Sequence, residues 1–199
     1  YIYGTLTNSD GADPIDYDAI MKNPAEFYMP ATDAATGRAT YFSKYDIVRD
    51  DYRAVMASCA LPGFCRPVKV GDRYYYDGGV ADSIPLHHAI EQGCTKMVVI
   101  LSNPRNFVKK PEAHRPLYKH MLHKYPKTIQ SIDNRHINYQ ASIDLACRLE
   151  KEGYVFIFAP SRHMPLSTFS KDAALEQDLY DLGVADYEAR AEELKHFLN

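Results

Sequence analysis

Two periods of apolar and polar residues alternate along the chain. Glu26 to Ala31 is a short apolar run bounded by turn residues, which predicts a strand. Ala34 to Gly37 reads as a turn, and Arg38 to Ser43 as the returning strand of a hairpin. Asp50 to Cys59 has helical spacing, with Tyr52, Val55, Met56 and Cys59 on one face. Asp50 or Asp51 suits the positive end of that helix, and Pro62-Gly63 stops it. Arg66 to Val70 and Arg73 to Tyr76 flank Gly71-Asp72, a tight hairpin signal. Beyond Asp77-Gly78-Gly79, Ser83 can cap a helix with Pro85 in its first turn, running through Ile90 to Gly93.

The second half is longer in period. Lys96 to Leu101 is a continuous apolar strand of the kind buried on both faces of a parallel sheet. Pro116 to Glu152 is helical and is divided by Pro126, which fits the first position of the second helix. In that helix Ile129, Ile132, His136, Tyr139, Ile143 and Ala146 make one amphipathic stripe. Gly153 closes it, and Tyr154 to Ala159 is another buried strand. Asp172 to Leu182 and Ala185 to Leu198 read as two final helices separated by Gly183. Apolar strands alternating with helices predict an α/β fold with layered packing. No repeat, low-complexity stretch or domain linker is visible.

Composition narrows the function only a little. The 199 residues are 46% hydrophobic and 25% charged with a net charge of −3, ordinary for a globular chain. Without a basic tract the chain lacks what nucleic-acid binding needs to displace counterions. Its longest apolar run is far short of the roughly 20 residues that span a bilayer. Cys59, Cys65, Cys94 and Cys147 form no C-x-x-C pair and read as reduced, partly buried thiols of a cytoplasmic protein. The chain opens on Tyr1 rather than Met, which suggests that a segment precedes it.

Several common chemistries are missing from the sequence. No two glycines have the spacing of a G-x-S-x-G nucleophile elbow. G-x-G-x-x-G, the phosphate-binding P-loop and H-E-x-x-H are absent too. What remains is Tyr74-Tyr75-Tyr76-Asp77-Gly78-Gly79-Val80, an acid at the end of an aromatic strand. Gly78 and Gly79 permit positive φ and leave the carboxylate uncrowded. A carboxylate on a rigid strand end can serve as a general base. The bland alternative is an ordinary Asp-Gly turn.

Context favours the base. Ala57-Ser58-Cys59-Ala60-Leu61-Pro62, then Tyr76-Asp77-Gly78-Gly79-Val80, then Ile84-Pro85, Ala89, Gly93 and the strand Lys96 to Leu101 follow one another in order. This set resembles the C-terminal part of the patatin-like phospholipase family, bacterial type. Phe27 to Gly37, ending Ala31-Thr32-Asp33-Ala34-Ala35-Thr36-Gly37, is similar to a family strand and turn, and Glu150 to Ser161 to the late strand of bacterial members. The resemblance extends over nearly the whole chain and implies an α/β/α patatin-like (lysophospholipase/acyl-transferase-like) domain, incomplete at its N-terminus. Residues 1–199 would then be the C-terminal part of one such domain, unable to fold alone with a bare sheet edge.

The family's Ser–Asp dyad implies Asp77 as base to a serine upstream of this chain, with Gly78 and Gly79 shaping its turn. The implied activity is a lipid acyl hydrolase, a phospholipase or esterase, with no metal or organic cofactor. An acyl ester is the implied substrate, and the fragment alone would be inactive. Between Asp77-Gly78-Gly79 and the proline many members place an asparagine, whereas this chain reads Asp82-Ser83-Ile84-Pro85. A non-catalytic binding module of the same fold is the alternative. A thiol-dependent hydrolase using Cys59, Cys65 or Cys94 is a third reading; Ser58, like Cys59, reads more simply as packing at a helix end. His114, His120 and His123 read as solvated residues rather than metal ligands, and His136 as a hydrogen-bonded interior histidine. Lys109, Lys110, Arg115, Lys119, Lys124 and Lys127 form a basic face, read as solvated or, secondarily, as a peripheral contact with an anionic membrane.

Overall fold

The computed structural model describes residues 2–165 and 171–199. Its elements in chain order are α1 (Tyr17–Lys22), β1 (Tyr28–Asp33), β2 (Ala39–Ser43), α2 (Arg53–Ser58), β3 (Val68–Val70), β4 (Arg73–Asp77), α3 (Leu86–Glu91), β5 (Met97–Ile100), α4 (Arg115–Met121), α5 (Pro126–Lys151), β6 (Val155–Phe158) and α6 (Ala173–Leu198). The fold is α/β. The chain divides into two compact units, residues 1–85 with 110–139, and residues 86–109 with 140–199.

The first unit is built on an antiparallel sheet of order β2-β1-β4-β3. Both predicted hairpins form. Met29 pairs with Phe42 across the first, and Val70 with Arg73 across Gly71-Asp72 in the second. Strand β4 has large side chains on both faces because both faces are covered. Tyr75 enters a core of Met29, Ala31, Phe42, Ile47, Tyr52, Ala54 and Ala57, meeting Phe42 edge-on at 4.9 Å. Tyr76 points the other way, into Ala34, Val80, Leu122, Ile129 and Ile132, with Tyr125 edge-on at 5.9 Å. Each such aromatic contributes roughly 1.5–3 kcal/mol by leaving water.

Helix α5 is tied to the β1–β2 turn by polar groups rather than by its apolar stripe alone. Thr128 Oγ1 donates to the Ala34 carbonyl at 2.8 Å and Ser131 Oγ to the Gly37 carbonyl at 2.7 Å. The turn itself is held by buried Asp33, whose carboxylate accepts from Ala35 N, Thr36 N and Arg73 Nη1. Burial alone would push the Asp33 carboxyl up. The Thr36, Arg73 and Ala35 donors outweigh it and hold the group below the ordinary aspartate value.

In the second unit β5 and β6 pair in parallel, Met97 opposite Val155 through Ile100 opposite Phe158. Ile157 on β6 has its edge groups occupied by side chains. Its carbonyl accepts from Arg105 at 2.9 Å and Arg190 at 2.7 Å, and its N–H donates to Glu150 at 3.2 Å. The Arg190 guanidinium also lies 4.4 Å from the Phe156 ring centroid.

Four expectations are corrected. Strand β5 is buried on one face only: Met97 and Val99 are covered while Val98 is 40% and Ile100 79% exposed. Helix α2 begins at Arg53, and it buries Ala54 and Ala57 rather than Val55, Met56 and Cys59, because small residues let it lie close on the sheet. Cys59, Cys65 and Cys94 are exposed, not partly buried. Gly183 does not separate a pair of helices, since α6 runs unbroken from Ala173 to Leu198. Glycine weakens a helix without ending it unless the backbone turns to positive φ, and Gly183 does not. A Cβ at Gly183 meets nothing within 4 Å. Gly183→Ala is therefore expected to stabilise the chain by about 0.5–1 kcal/mol, read as a rise in thermal or urea midpoint. Among the described residues, no helix is long and apolar enough to cross a membrane.

Candidate active site

Asp77 is the last residue of β4 and the N-cap of the short 3-10 turn Gly78–Val80. Backbone and buried hydroxyl bonds fix it from three sides. Its N–H donates to the Ala60 carbonyl at 2.9 Å. Its carbonyl accepts from Thr32 Oγ1 at 2.8 Å, and the same hydroxyl accepts from Ala81 N at 3.2 Å, stapling the strand end to the turn. Thr32 is fully buried, so the staple is shielded from competing water.

The carboxylate itself is held by one oxygen. Asp77 Oδ1 accepts the Gly79 N–H at 2.7 Å, while Oδ2 accepts no protein hydrogen bond among the described residues. Burial pushes the Asp77 carboxyl above the ordinary aspartate value, against the Gly79 N–H and the Arg135 charge, which pull it down. Tyr76 precedes Asp77 but faces the opposite core, where burial raises its phenol to about 12 and keeps it neutral.

The two glycines act differently from expectation. Neither has positive φ. Gly78 is needed for close approach: a Cβ there would lie 2.2 Å from the Pro30 carbonyl oxygen. Gly79 faces the site, and a Cβ there would lie 3.1 Å from Asp77 Oδ1 and 3.4 Å from Arg135 Nη2. Ser83 donates its hydroxyl proton to the Gly79 carbonyl at 2.7 Å, and α3 starts later, at Leu86.

Arg135 was not among the residues singled out in the sequence. Its Nε donates to the Gly79 carbonyl at 2.6 Å and its Nη1 to Glu112 at 3.0 Å. The signal was present as Thr128, Ser131 and Arg135, spaced three and four apart on α5. The first two dock the helix on the β1–β2 turn, and the third then falls over Gly79.

The remaining candidates lie elsewhere or are committed. Ser58 Oγ donates to the Pro30 carbonyl at 2.7 Å. Cys59 is exposed as a residue, yet the protein around its sulfur strips enough water to push the thiol up, as does the Asp77 charge, against a hydrogen bond with Tyr3, which disfavours the thiolate a nucleophile needs. Cys65 and Cys94 are exposed without such a setting. His123 Nδ1 lies 2.9 Å from the His120 carbonyl oxygen, and Glu112, the acid nearest these histidines in sequence, turns to Arg135. His136 is half-buried, and its Nδ1 has no hydrogen-bond partner among the described residues, contrary to the expected interior bond. On the basic face, Arg115 is neutralised by Asp133 at 2.7 Å. No group of three His, Cys, Asp or Glu among the described residues is close enough to hold a metal ion.

Residues 22–90, which include Thr32, Asp77, Gly78 and Gly79, match the model of the patatin-like phospholipase family. Over that stretch the chain is patatin-like. The patatin-like family is one of lipid hydrolases. Residues 125–199, which hold Arg135 and the second unit's β6 and α6, match a family described as a domain of unknown function (DUF6363). The chain is also similar to the uncharacterized protein YjjU of Escherichia coli (strain K12), 39% identical over 59 residues. That stretch is 29% of this chain and 16% of YjjU.

Proposed function

We propose that this chain supplies the acid of a Ser–Asp dyad in a patatin-like lipid acyl-ester hydrolase, with Asp77 as general base. The observation that carries the reading is the Asp77 carboxylate: one oxygen is pinned by Gly79 N–H, the other accepts nothing from the described residues, and burial raises its proton affinity. In the proposed reaction a serine Oγ–H gives its proton to Asp77 Oδ2 as Oγ attacks the acyl carbon. Collapse of the tetrahedral adduct breaks the ester C–O bond, and the departing alkoxide takes that proton. Water then gives a proton to Asp77 as it attacks the acyl-enzyme; collapse of this second adduct breaks the acyl C–Oγ bond, the serine Oγ takes the proton back from Asp77, and the carboxylic acid leaves. The serine comes from outside these 199 residues, which hold no G-x-S-x-G. We place these residues as the acid-bearing C-terminal part of that hydrolase domain, acting on an acyl-ester lipid, with peripheral membrane contact through the basic face.

The test uses the complete gene product. A fluorophosphonate probe is expected to label one serine lying in a G-x-S-x-G sequence, and labelling is expected to stop hydrolysis of a short-chain chromogenic ester. Absence of both labelling and hydrolysis would favour the non-catalytic binding module. Hydrolysis lost with iodoacetamide but resistant to the fluorophosphonate would point to a thiol enzyme instead.

A further inference from the structure

We propose that Arg135 is a positioning residue for Asp77, tying the Gly78–Gly79 turn to α5 while its charge, partly offset by Glu112, acts on the Asp77 carboxylate. The inference rests on Asp77 being the base. It goes further by naming a group outside the stretch that matches the patatin-like model, on a different element of the first unit.

The geometry is specific. The Gly79 carbonyl accepts from two donors, Arg135 Nε at 2.6 Å and Ser83 Oγ at 2.7 Å, while the Gly79 N–H donates to Asp77 Oδ1. One peptide plane on each side of Gly79 is thus fixed, and the carboxylate is aimed by the residue that Arg135 holds. A guanidinium can do this because Nε serves the carbonyl while Nη1 serves Glu112 and Nη2 stays near Gly79. A lysine ammonium has the charge without the planar fork. The side chains of Arg135 and Glu112 are 29% and 34% exposed, so solvent screens the pair less than it would a surface one.

Among the described residues, the charged and titratable groups around Asp77 come from three places. Arg135 approaches from α5, with Glu112 behind it on the segment before α4. Cys59 approaches from the end of α2, its thiol hydrogen-bonded with Tyr3 and pushed up by partial desolvation of the sulfur. Of these only Arg135 opposes the burial of the Asp77 carboxylate with a full positive charge. Glu112 weakens that opposition. Removing the two charges therefore has opposite effects on Asp77, whereas a mere strut would loosen in the same sense from either end.

The experiment titrates Asp77 directly in the complete gene product by carbon-13 aspartate NMR, the signal being assigned by its loss in Asp77→Asn. Arg135→Gln is expected to move the Asp77 midpoint upward and Glu112→Gln to move it downward, with Arg135→Lys between wild type and Arg135→Gln. Ester hydrolysis is expected to fall roughly 10–100-fold in kcat for Arg135→Gln with KM little changed, and Arg135→Lys to recover part of it. Unchanged midpoints in all three variants, or shifts of one sign for Arg135→Gln and Glu112→Gln, would overturn the proposal. If Arg135→Gln does not fold, Arg135→Lys and Glu112→Gln carry the same test. Midpoints that move as expected in a protein without esterase activity would keep the Arg135–Asp77 coupling and sink the hydrolase reading, so the two failures are distinct.

Discussion

Asp77→Asn in the complete gene product is expected to lower kcat/KM for an acyl ester by roughly 10²–10⁴-fold, the range that a general base supplies. The fold should not suffer. Asparagine keeps an oxygen for the Gly79 N–H, and the backbone bonds to Ala60 and Thr32 do not involve the side chain. Stability should in fact rise at neutral pH. Burial raises the folded carboxyl above its ordinary value, so between those two values the folded chain holds the proton more tightly than the unfolded one. Stability therefore falls as pH increases through that window and stays reduced above it. Asn carries no such penalty. Thermal melts of wild type and variant are expected to differ at pH 7, with the variant higher, and to converge below the ordinary aspartate value. A variant less stable at pH 7 would mean that Asp77 is a structural acid, and retention of wild-type turnover would exclude it as the base.

Gly78→Ala has the largest expected effect on stability. The added Cβ would sit 2.2 Å from the Pro30 oxygen and 2.4 Å from its carbonyl carbon. Those atoms belong to the middle of β1, which pairs with β2 on one side and β4 on the other, so the strand cannot yield without breaking a ladder. Overpacking against backbone places the cost at about 3 kcal/mol or more, or on the order of 6–12 °C in Tm for a chain of this size. Gly79→Ala makes the informative contrast. Its Cβ meets only side-chain atoms, Asp77 Oδ1 at 3.1 Å and Arg135 Nη2 at 3.4 Å, beyond which lies Ser83 Oγ at 3.9 Å. Its stability cost is expected to stay within about 1 kcal/mol, while activity falls roughly 10–100-fold as the carboxylate is re-aimed. Melting curves and ester kinetics on the two variants separate them. Equal losses in both would show that the glycine pair has one role rather than two.

The α/β class, both hairpins, the division of α4 from α5 at Pro126 and the existence of β5 and β6 as strands were legible along the chain, whereas the parallel pairing of those two strands came from the structure. The legible features are decided by neighbours in sequence: a period of two or 3.6, a Gly-Asp turn, a proline at the start of a helix. The stripe from Ile129 to Ala146 was legible for the same reason, and four of its six members are buried. Which face of a short helix is buried was not. In α2, Val55 and Met56 outscore Ala54 and Ala57 on hydrophobicity, yet the alanines face the sheet because its surface there is already filled by Met29, Phe42 and Tyr75. Likewise, a strand of continuous apolar residues such as β5 does not announce which of its faces is covered, so Ile100 stands 79% exposed.

At the candidate site, sequence order alone brought Asp77, Gly78 and Gly79 forward, since they are adjacent and their order with flanking segments resembles a family. What those residues meet could not be read there. That Gly78 touches Pro30, that Thr32 staples the strand end, and that Arg135 lies over Gly79 depend on contacts spanning 45 and 56 residues in the hydrogen-bonded cases. Hydrophobic periodicity records only which residues leave water, whereas a hydrogen bond to one carbonyl depends on where a helix has docked. Asp77 was therefore a candidate from the sequence by itself, and its fixed carboxylate, raised proton affinity and link to Arg135 came from the tertiary fold.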